Sequence, residues 1–293
     1  MTVERSQART GFLLGLTAYF IWGFFPLFFK QLSHLPPLEV VCHRIAWSLL
    51  FLLFLSAGRG ETSLIRRALG DRRALKYLLV TSLLISTNWL VFIHAVAVGE
   101  VLQSSLGYFM TPLVNVMLGV LVLGERLRPW QIVSLLLAVA GVGVQVVALG
   151  KLPLIALVLA ATFGLYGLLR KMAPVEALAG LAVETGILAL PAVGYLLVAG
   201  YGGGGHYVGR LPADAVLLPL AGVLTAVPLI LFAAAARRLR LTTIGFLQYL
   251  TPTLHFLQAV FIYRETFSAS HLVSFCCIWF GLLLYTIDAG RAR

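Results

Sequence analysis

Residues 111–141 read TPLVNVMLGVLVLGERLRPWQIVSLLLAVAG, and residues 251–281 read TPTLHFLQAVFIYRETFSASHLVSFCCIWFG. Thr111-Pro112, Glu125, Val133-Ser134 and Gly141 of the first stretch recur as Thr251-Pro252, Glu265, Val273-Ser274 and Gly281 of the second, all at an offset of 140. At an offset of 141, Gly23 falls on Gly164 and Lys30 on Lys171. The chain therefore reads as a duplication. Each copy is dominated by apolar runs that share short, punctuated joins.

Those runs fall at 11–30, 38–57, 76–98, 101–123 and 130–149 in the first half, and at 151–170, 177–200, 215–236, 242–262 and 270–288 in the second. Each is long enough to cross a hydrocarbon core about 30 Å thick, which takes roughly 17–25 helical residues. The sequence predicts an all-α polytopic membrane protein of ten transmembrane helices, arranged as two five-helix repeats. The repeats occupy 11–149 and 151–288, with a short N-terminal segment at 1–10 and a tail at 289–293. The joins at Gly99-Glu100 and Leu149-Gly150 are so short that the helices they link must be antiparallel neighbours.

Composition agrees. Of 293 residues, 60% are hydrophobic and 11% charged, against roughly 25% charged in soluble domains, so the solvent of this chain is the lipid bilayer. The net charge of +11 follows the bias of cytoplasmic loops toward Lys and Arg, and no basic-aromatic surface pattern points to nucleic acid. With the N-terminus inside, 17 basic residues fall on the inner side, Arg170 and Lys171 among them. Four fall outside: Lys30, Lys151, Arg210 and Arg264. That asymmetry orients both termini toward the cytoplasm. Five helices per repeat is an odd number, so the two copies are inverted relative to each other, an architecture recurrent in secondary transporters. The run from Gly11 to Phe29 exceeds a signal-peptide core and no small-residue cleavage site follows, so it is read as an uncleaved first helix.

Pro112 and Pro252 sit near the middle of the fourth and ninth spans, where proline removes a backbone donor and disturbs the helix. Both are expected to break their helices. Paired interruptions in corresponding segments are the best sequence pointer to a binding site near the middle of the membrane. Around Pro112 lie Ser104, Tyr108, Thr111 and Asn115, and around Pro252 lie Gln248, Thr251, His255 and Gln258. The competing reading is that these groups only hold helices together. Tyr19, Trp22 and Pro26 share a face of the first helix. Trp47, Trp89, Phe92, Phe109, Tyr166 and Tyr249 fall within spans, and Asn88 adds an amide beside Trp89. A cavity with such walls would suit a flat, amphipathic or aromatic organic molecule.

An ionisable side chain at membrane depth costs about 2.5–3.5 kcal/mol on insertion scales and is a functional hypothesis by default. Arg44 in the second span and Glu184 in the seventh stand out, and at an offset of 141 Glu184 aligns with His43. Either Glu184 exchanges a proton under the influence of His43 or Arg44, or Arg44 and Glu184 form a fixed ion pair or bind helix-end carbonyls. Glu39 and Asp288 lie at helix ends and are read as solvated or snorkelling. Cys42, Cys276 and Cys277 have neither disulfide nor metal-ligand spacing. Neither a P-loop, a dinucleotide fingerprint, a zinc-protease helix nor a serine elbow is present, so the sequence calls for no cofactor, metal site or catalytic residues. Gly202 to Gly205 are read as a linker.

The segment Ala18-Tyr19-Phe20-Ile21-Trp22-Gly23, the pair His43-Arg44 followed by Trp47-Ser48, and Asn88-Trp89-Leu90 resemble the RarD branch of the EamA-type drug/metabolite transporters. So do Ser105-Leu106-Gly107-Tyr108-Phe109, Pro112-Leu113-Val114-Asn115, Gly124-Glu125-Arg126, and Gly245-Phe246 with Gln248-Tyr249, and the likeness runs from about residue 10 to 289. The resemblance implies two inverted repeats around a central cavity in a bacterial plasma membrane, exporting small metabolites or drugs. It implies a cavity lined mainly by helices one, three, four, six, eight and nine, which brings forward Tyr19, Trp22, Asn88, Tyr108, Asn115, Gln248 and His255. A passive facilitator of the same fold and a membrane scaffold that moves no solute are the alternatives.

Overall fold

The structure is a computed structural model that describes residues 2–97, 101–150, 152–201, 212–262 and 269–291. Gly99-Glu100, Lys151, Gly202 to Gly205, Arg210, Arg264, Glu265 and Arg293, all used in reading the sequence, lie outside the described residues. The order is α1 (Thr2–Gly23), α2 (Phe25–Lys30), α3 (Pro37–Gly58), α4 (Thr62–Gly70), α5 (Arg72–Ala97), α6 (Val101–Leu121), α7 (Pro129–Leu149) and α8 (Leu154–Met172). It continues with α9 (Ala177–Tyr201), α10 (Asp214–Arg238), α11 (Leu241–Gln248), α12 (Leu250–Phe261) and α13 (Ala269–Arg291). No strand occurs among the described residues. Helix is the outcome expected of a backbone that must satisfy its polar groups without water.

Eight described segments are long and apolar enough to cross a membrane, the first being Ser6–Lys30, which joins α1 and α2. α6 adds the shorter apolar stretch Leu106–Leu121. The ninth expected span is not one helix: α11 and α12 meet at Tyr249. There the Tyr249 N–H donates to the Phe246 carbonyl (3.3 Å), a tightened turn, and the Thr253 hydroxyl caps the Tyr249 carbonyl (2.8 Å). Pro252 lies three residues beyond and cannot bond back to Gln248. Pro112 departs from expectation, because α6 runs through it unbroken. The neighbouring Thr111 hydroxyl donates to the Gly107 carbonyl at 2.8 Å, which supports the helix locally. A second irregularity, at Phe24 before Pro26, divides α1 from α2.

α4 occupies what the sequence reading left as a basic loop. Arg66 and Arg67 are exposed while Ala68 is buried, with Leu64 and Ile65, against Ala74, Leu78, Ala179 and Val183. An amphipathic helix with arginines on its outer face fits the membrane interface. Asp71 then caps α5, accepting from the Arg73 (2.8 Å) and Ala74 (3.2 Å) amides.

The chain forms two compact units, residues 1–89 with 169–238 and residues 90–168 with 239–293. Each draws helices from both halves of the sequence. Within unit 1, α10 packs on α1 and α3, and α9 packs on α3 and α4. Gly222 makes the α3–α10 approach possible: a Cβ there would lie 2.5 Å from the Trp47 Cβ, and the Ser48 hydroxyl donates to the Gly222 carbonyl at 2.8 Å. Within unit 2, α7 packs on α13. A Cβ on Gly141 would meet the Ser274 carbonyl at 2.8 Å, and one on Gly281 the Ser134 carbonyl at 2.9 Å. Small residues at such crossings replace the hydrophobic drive that lipid does not supply. Large apolar side chains such as Phe54, Val147 and Leu190 remain about 80% exposed, as residues facing hydrocarbon should.

Gly222→Val is expected to destabilise the purified protein by about 1–3 kcal/mol, the usual range for overpacking. Thermal unfolding in detergent would read this, and an unchanged midpoint would show that the α3–α10 approach is not as tight as described.

Candidate functional site

Unit 1 contains a buried charge centre. Glu184, on α9, has a side chain 2% exposed, and Arg170 of α8, 1% exposed, lies beside it with Nη1 3.5 Å from Oε1. The Thr81 hydroxyl of α5 donates to the same carboxylate oxygen, and the Ser82 hydroxyl donates to the Glu184 carbonyl at 3.4 Å. Arg170 Nη2 donates to the Ala177 carbonyl at 3.1 Å. The guanidinium lies on Gly180, where a Cβ would come within 2.2 Å of Nη1. Glycine at 180 is therefore part of the site.

The sequence reading counts Arg170 among the inner-side charges, and the structure adds that its side chain is buried. Adjacent residues on a helix point about 100° apart, so Arg170 turns inward. Lys171 instead caps the Ala236 carbonyl at 3.0 Å, as a cation at a helix C-terminus should. Glu39, expected at a solvated helix end, is 3% exposed. Asp288 has a side chain 13% exposed, 3.6 Å from Arg128. Asp214, which the sequence reading passed over, is fully buried and bonds His34 at 2.9 Å.

Arg44 has other neighbours. Its Nε donates to the Thr225 hydroxyl at 2.9 Å, and its guanidinium lies 4.7 Å from the Phe29 ring centre and 5.4 Å from that of Trp89. Thr225 in turn donates to the Ala221 carbonyl at 2.7 Å. A small recess adjoins Trp89 and Thr225, lined also by Ile45, Ser48, Leu181, Thr185, Leu188, Ala226 and Leu229. His43 is buried at 5% exposure, and Asn88, like Trp89, is half-buried. Tyr19 (1% exposed) and Trp22 form an aromatic cluster with Phe232, with ring centres 5.5–6.3 Å apart.

Unit 2 gathers the polar residues of the fourth and ninth spans. The Asn115 side-chain amide donates to Gln248 Oε1 at 2.8 Å, and both are buried. The Tyr108 and His255 rings meet edge to face at 6.0 Å, and Phe92 meets Tyr108 at 6.1 Å. These contacts pair by the repeat: Tyr108 and Gln248 are 140 residues apart, and so are Asn115 and His255. Gly245 lies on the Pro112 carbonyl, where a Cβ would come within 2.7 Å. Thr111, Tyr249 and Thr251 are buried in the same unit. Tyr166, fully buried, packs beside Phe163. The Glu125 carboxylate accepts from the amides of Leu241 (2.6 Å) and Thr242 (2.9 Å), capping α11.

Among the described residues no group of three or more His, Cys, Asp or Glu side chains could hold a metal ion. The structure thus offers two membrane-depth polar regions, a charged one in unit 1 and an amide-aromatic one in unit 2.

Removing one partner of a buried ion pair costs about 3–5 kcal/mol, because it strands the other charge. Arg170→Gln and Glu184→Gln are each expected to lose that much stability, and the double variant is expected to lose less than the sum. Denaturant titration of the three proteins in detergent measures this, and additive losses would mean that the two groups do not interact.

The profile of the EamA-like transporter family matches residues 9–147. An uncharacterized transporter of Pseudomonas aeruginosa is 45% identical, covering 98% of this chain and 96% of its own length. Protein RarD of Escherichia coli is 43% identical, over 98% and 97%. The chloramphenicol-sensitive protein RarD of P. aeruginosa is 32% identical, over 96% and 95%. A crystal structure of a protein 17% identical in sequence shares the fold at a TM-score of 0.73, over 97% of this chain and 99% of its own.

Proposed function

We propose a secondary transporter of small organic molecules, starting from what these similarities establish: the chain belongs to the EamA-like transporter family and, within it, to the RarD branch. It is a multi-pass membrane protein of a bacterial transporter family. In the proposed mechanism it lies in the inner membrane with both termini cytoplasmic. Ten spans form two inverted repeats, and alternating access at a midplane cavity exports a metabolite or drug of flat, amphipathic character.

The observation that carries the inverted repeat is the pairing of contacts across the offset of 140. Gly141 on Ser274 answers Gly281 on Ser134, and Tyr108 with His255 answers Asn115 with Gln248. A two-fold relation between the halves supplies both members of each pair at once, and inverted repeats related in this way are the basis of alternating access. Within unit 1 the half-buried Trp22, Asn88 and Trp89, and within unit 2 the exposed Tyr108 and half-buried His255, are each proposed as substrate contacts. The buried Tyr19 in unit 1, and Thr111, Asn115, Tyr166, Gln248 and Tyr249 in unit 2, are proposed to support them. Arg170 beside Glu184 supports the ion-pair reading of that carboxylate, so proton coupling through Glu184 would require Arg170 to withdraw.

Flux in vesicles carrying the full chain is the test, with a panel of amino acids and aromatic drugs under an imposed pH gradient. Saturable exchange is expected of the transporter, while unsaturable flux indicates a facilitator and absence of any flux a scaffold. If the gradient drives accumulation in the wild type but not in Arg170→Gln/Glu184→Gln, the pair belongs to the coupling. If the gradient acts equally on both, the pair is structural.

A further inference from the structure

We infer that the basic corner formed by α4 and the first turns of α5 is a docking surface for the phosphate headgroup of an anionic phospholipid. The inference rests on the chain being a multi-pass membrane protein and is independent of what it transports.

Between Arg59 and Lys76 the sequence holds six basic residues and two acidic ones. Both carboxylates are engaged within the corner. Glu61 pairs with Arg59 at 3.1 Å, and Asp71 accepts from the Arg73 and Ala74 amides. Glu176, just ahead of the α9 helix on which α4 packs, is paired with Arg237 at 2.7 Å. Arg66, Arg67, Arg72, Arg73 and Lys76 are exposed and have no carboxylate partner among the described residues. Like charges in so short a stretch raise the local potential, and an external anion relieves it.

The corner is ordered by its own bonds. The Asp71 N–H donates to the Arg67 carbonyl at 3.0 Å where α4 ends, and the Asp71 carboxylate caps the start of α5. Leu64, Ile65 and Ala68 hold the inner face of α4 against Ala74, Leu78, Ala179 and Val183. Arg66-Arg67 and Arg72-Arg73 thus stand on either side of one capped turn.

Its position is that of a headgroup layer. α3 and α5 both have the length and polarity of membrane spans, and α4 joins them, so it lies at one membrane surface. Leu69, 54% exposed, flanks the arginines on α4 and offers an apolar contact to the upper acyl region beneath the phosphates. Clusters of roughly four to eight Lys and Arg beside a span or on an amphipathic helix suit anionic lipid. Guanidinium groups also bind phosphate oxygens two at a time. Because α4 rests on Ala179 and Val183, a bound headgroup braces the helix that carries Glu184.

Thermal unfolding of the full chain in a neutral detergent tests this, with dioleoyl phosphatidylglycerol and dioleoyl phosphatidylcholine as probes. Phosphatidylglycerol is expected to raise the midpoint with an apparent Kd about tenfold or more below that of phosphatidylcholine. Arg66→Gln/Arg67→Gln and Arg72→Gln/Arg73→Gln are each expected to weaken phosphatidylglycerol about tenfold and leave phosphatidylcholine unchanged. The control Arg9→Gln/Arg126→Gln removes the same charge from exposed residues elsewhere in the chain and is expected to keep the wild-type preference. Should the α4 and α5 variants not fold, the wild type decides: a preference unmoved by raising salt from about 50 to about 500 mM overturns the inference. Equal protection by the two lipids also overturns it, as does a preference that survives all four substitutions together or that the control loses to the same degree. Protection by inorganic phosphate as strong as that by phosphatidylglycerol assigns the corner to a soluble anion and overturns it too.

Discussion

A buried polar group in hydrocarbon has no water to return to, and the arrangement of unit 1 follows from that constraint. Arg170 and Glu184 are tolerable at 1% and 2% side-chain exposure because they face each other. The Thr81 hydroxyl and the Ala177 carbonyl take up further bonding capacity. Gly180 provides the room, since any side chain there would occupy the place of the guanidinium. Glycine, arginine, threonine and glutamate from three helices thus form one site, and a substitution at any of them is felt by the rest. The same economy recurs at lower stakes at the α3–α10 crossing, where Gly222 lets the Ser48 hydroxyl reach a backbone carbonyl.

The coarse architecture was legible because membrane spans announce themselves by length and polarity, and the family was legible in motifs such as Asn88-Trp89-Leu90. What escaped was direction. Arg170 was counted with Lys171 as an inner charge because a charge tally has no angular term, yet one turns inward to Glu184 and the other caps Ala236. The offset of 141 aligned His43 with Glu184 in the sequence without identifying the partner of the carboxylate. A repeat relates positions in two copies, whereas a contact depends on which helices pack. Thr225 of α10 was the neighbour that mattered for Arg44, and it carries no sequence signature beyond being a polar residue in an apolar span.

The prolines show the same limit from another side. Pro112 and Pro252 are equivalent in the sequence, but α6 continues through one while the chain turns at Tyr249 before the other. Proline removes a donor in both places, and the surroundings decide the consequence. Near Pro112 α6 stays whole, whereas near Pro252 the tightened bond from Tyr249 to Phe246 ends α11; a threonine hydroxyl bonds the carbonyl four residues back in both places, so it does not decide the difference. Two segments that match at an offset of 140 in the sequence thus have different local conformations.

Each compact unit contains helices from both halves of the sequence, and the chain passes from one unit to the other within α5, within α8 and between Arg238 and Leu239. Glu184 lies wholly inside unit 1 on α9, yet the side chains that hold it, Thr81 and Arg170, come from the two helices that continue into unit 2. Arg44 is attached differently, through α2, α10 and Trp89 at the last position of unit 1. Composition alone would have paired Arg44 with Glu184, but the arginine beside that carboxylate is Arg170, because contacts follow the packing of helices and not their order in the sequence.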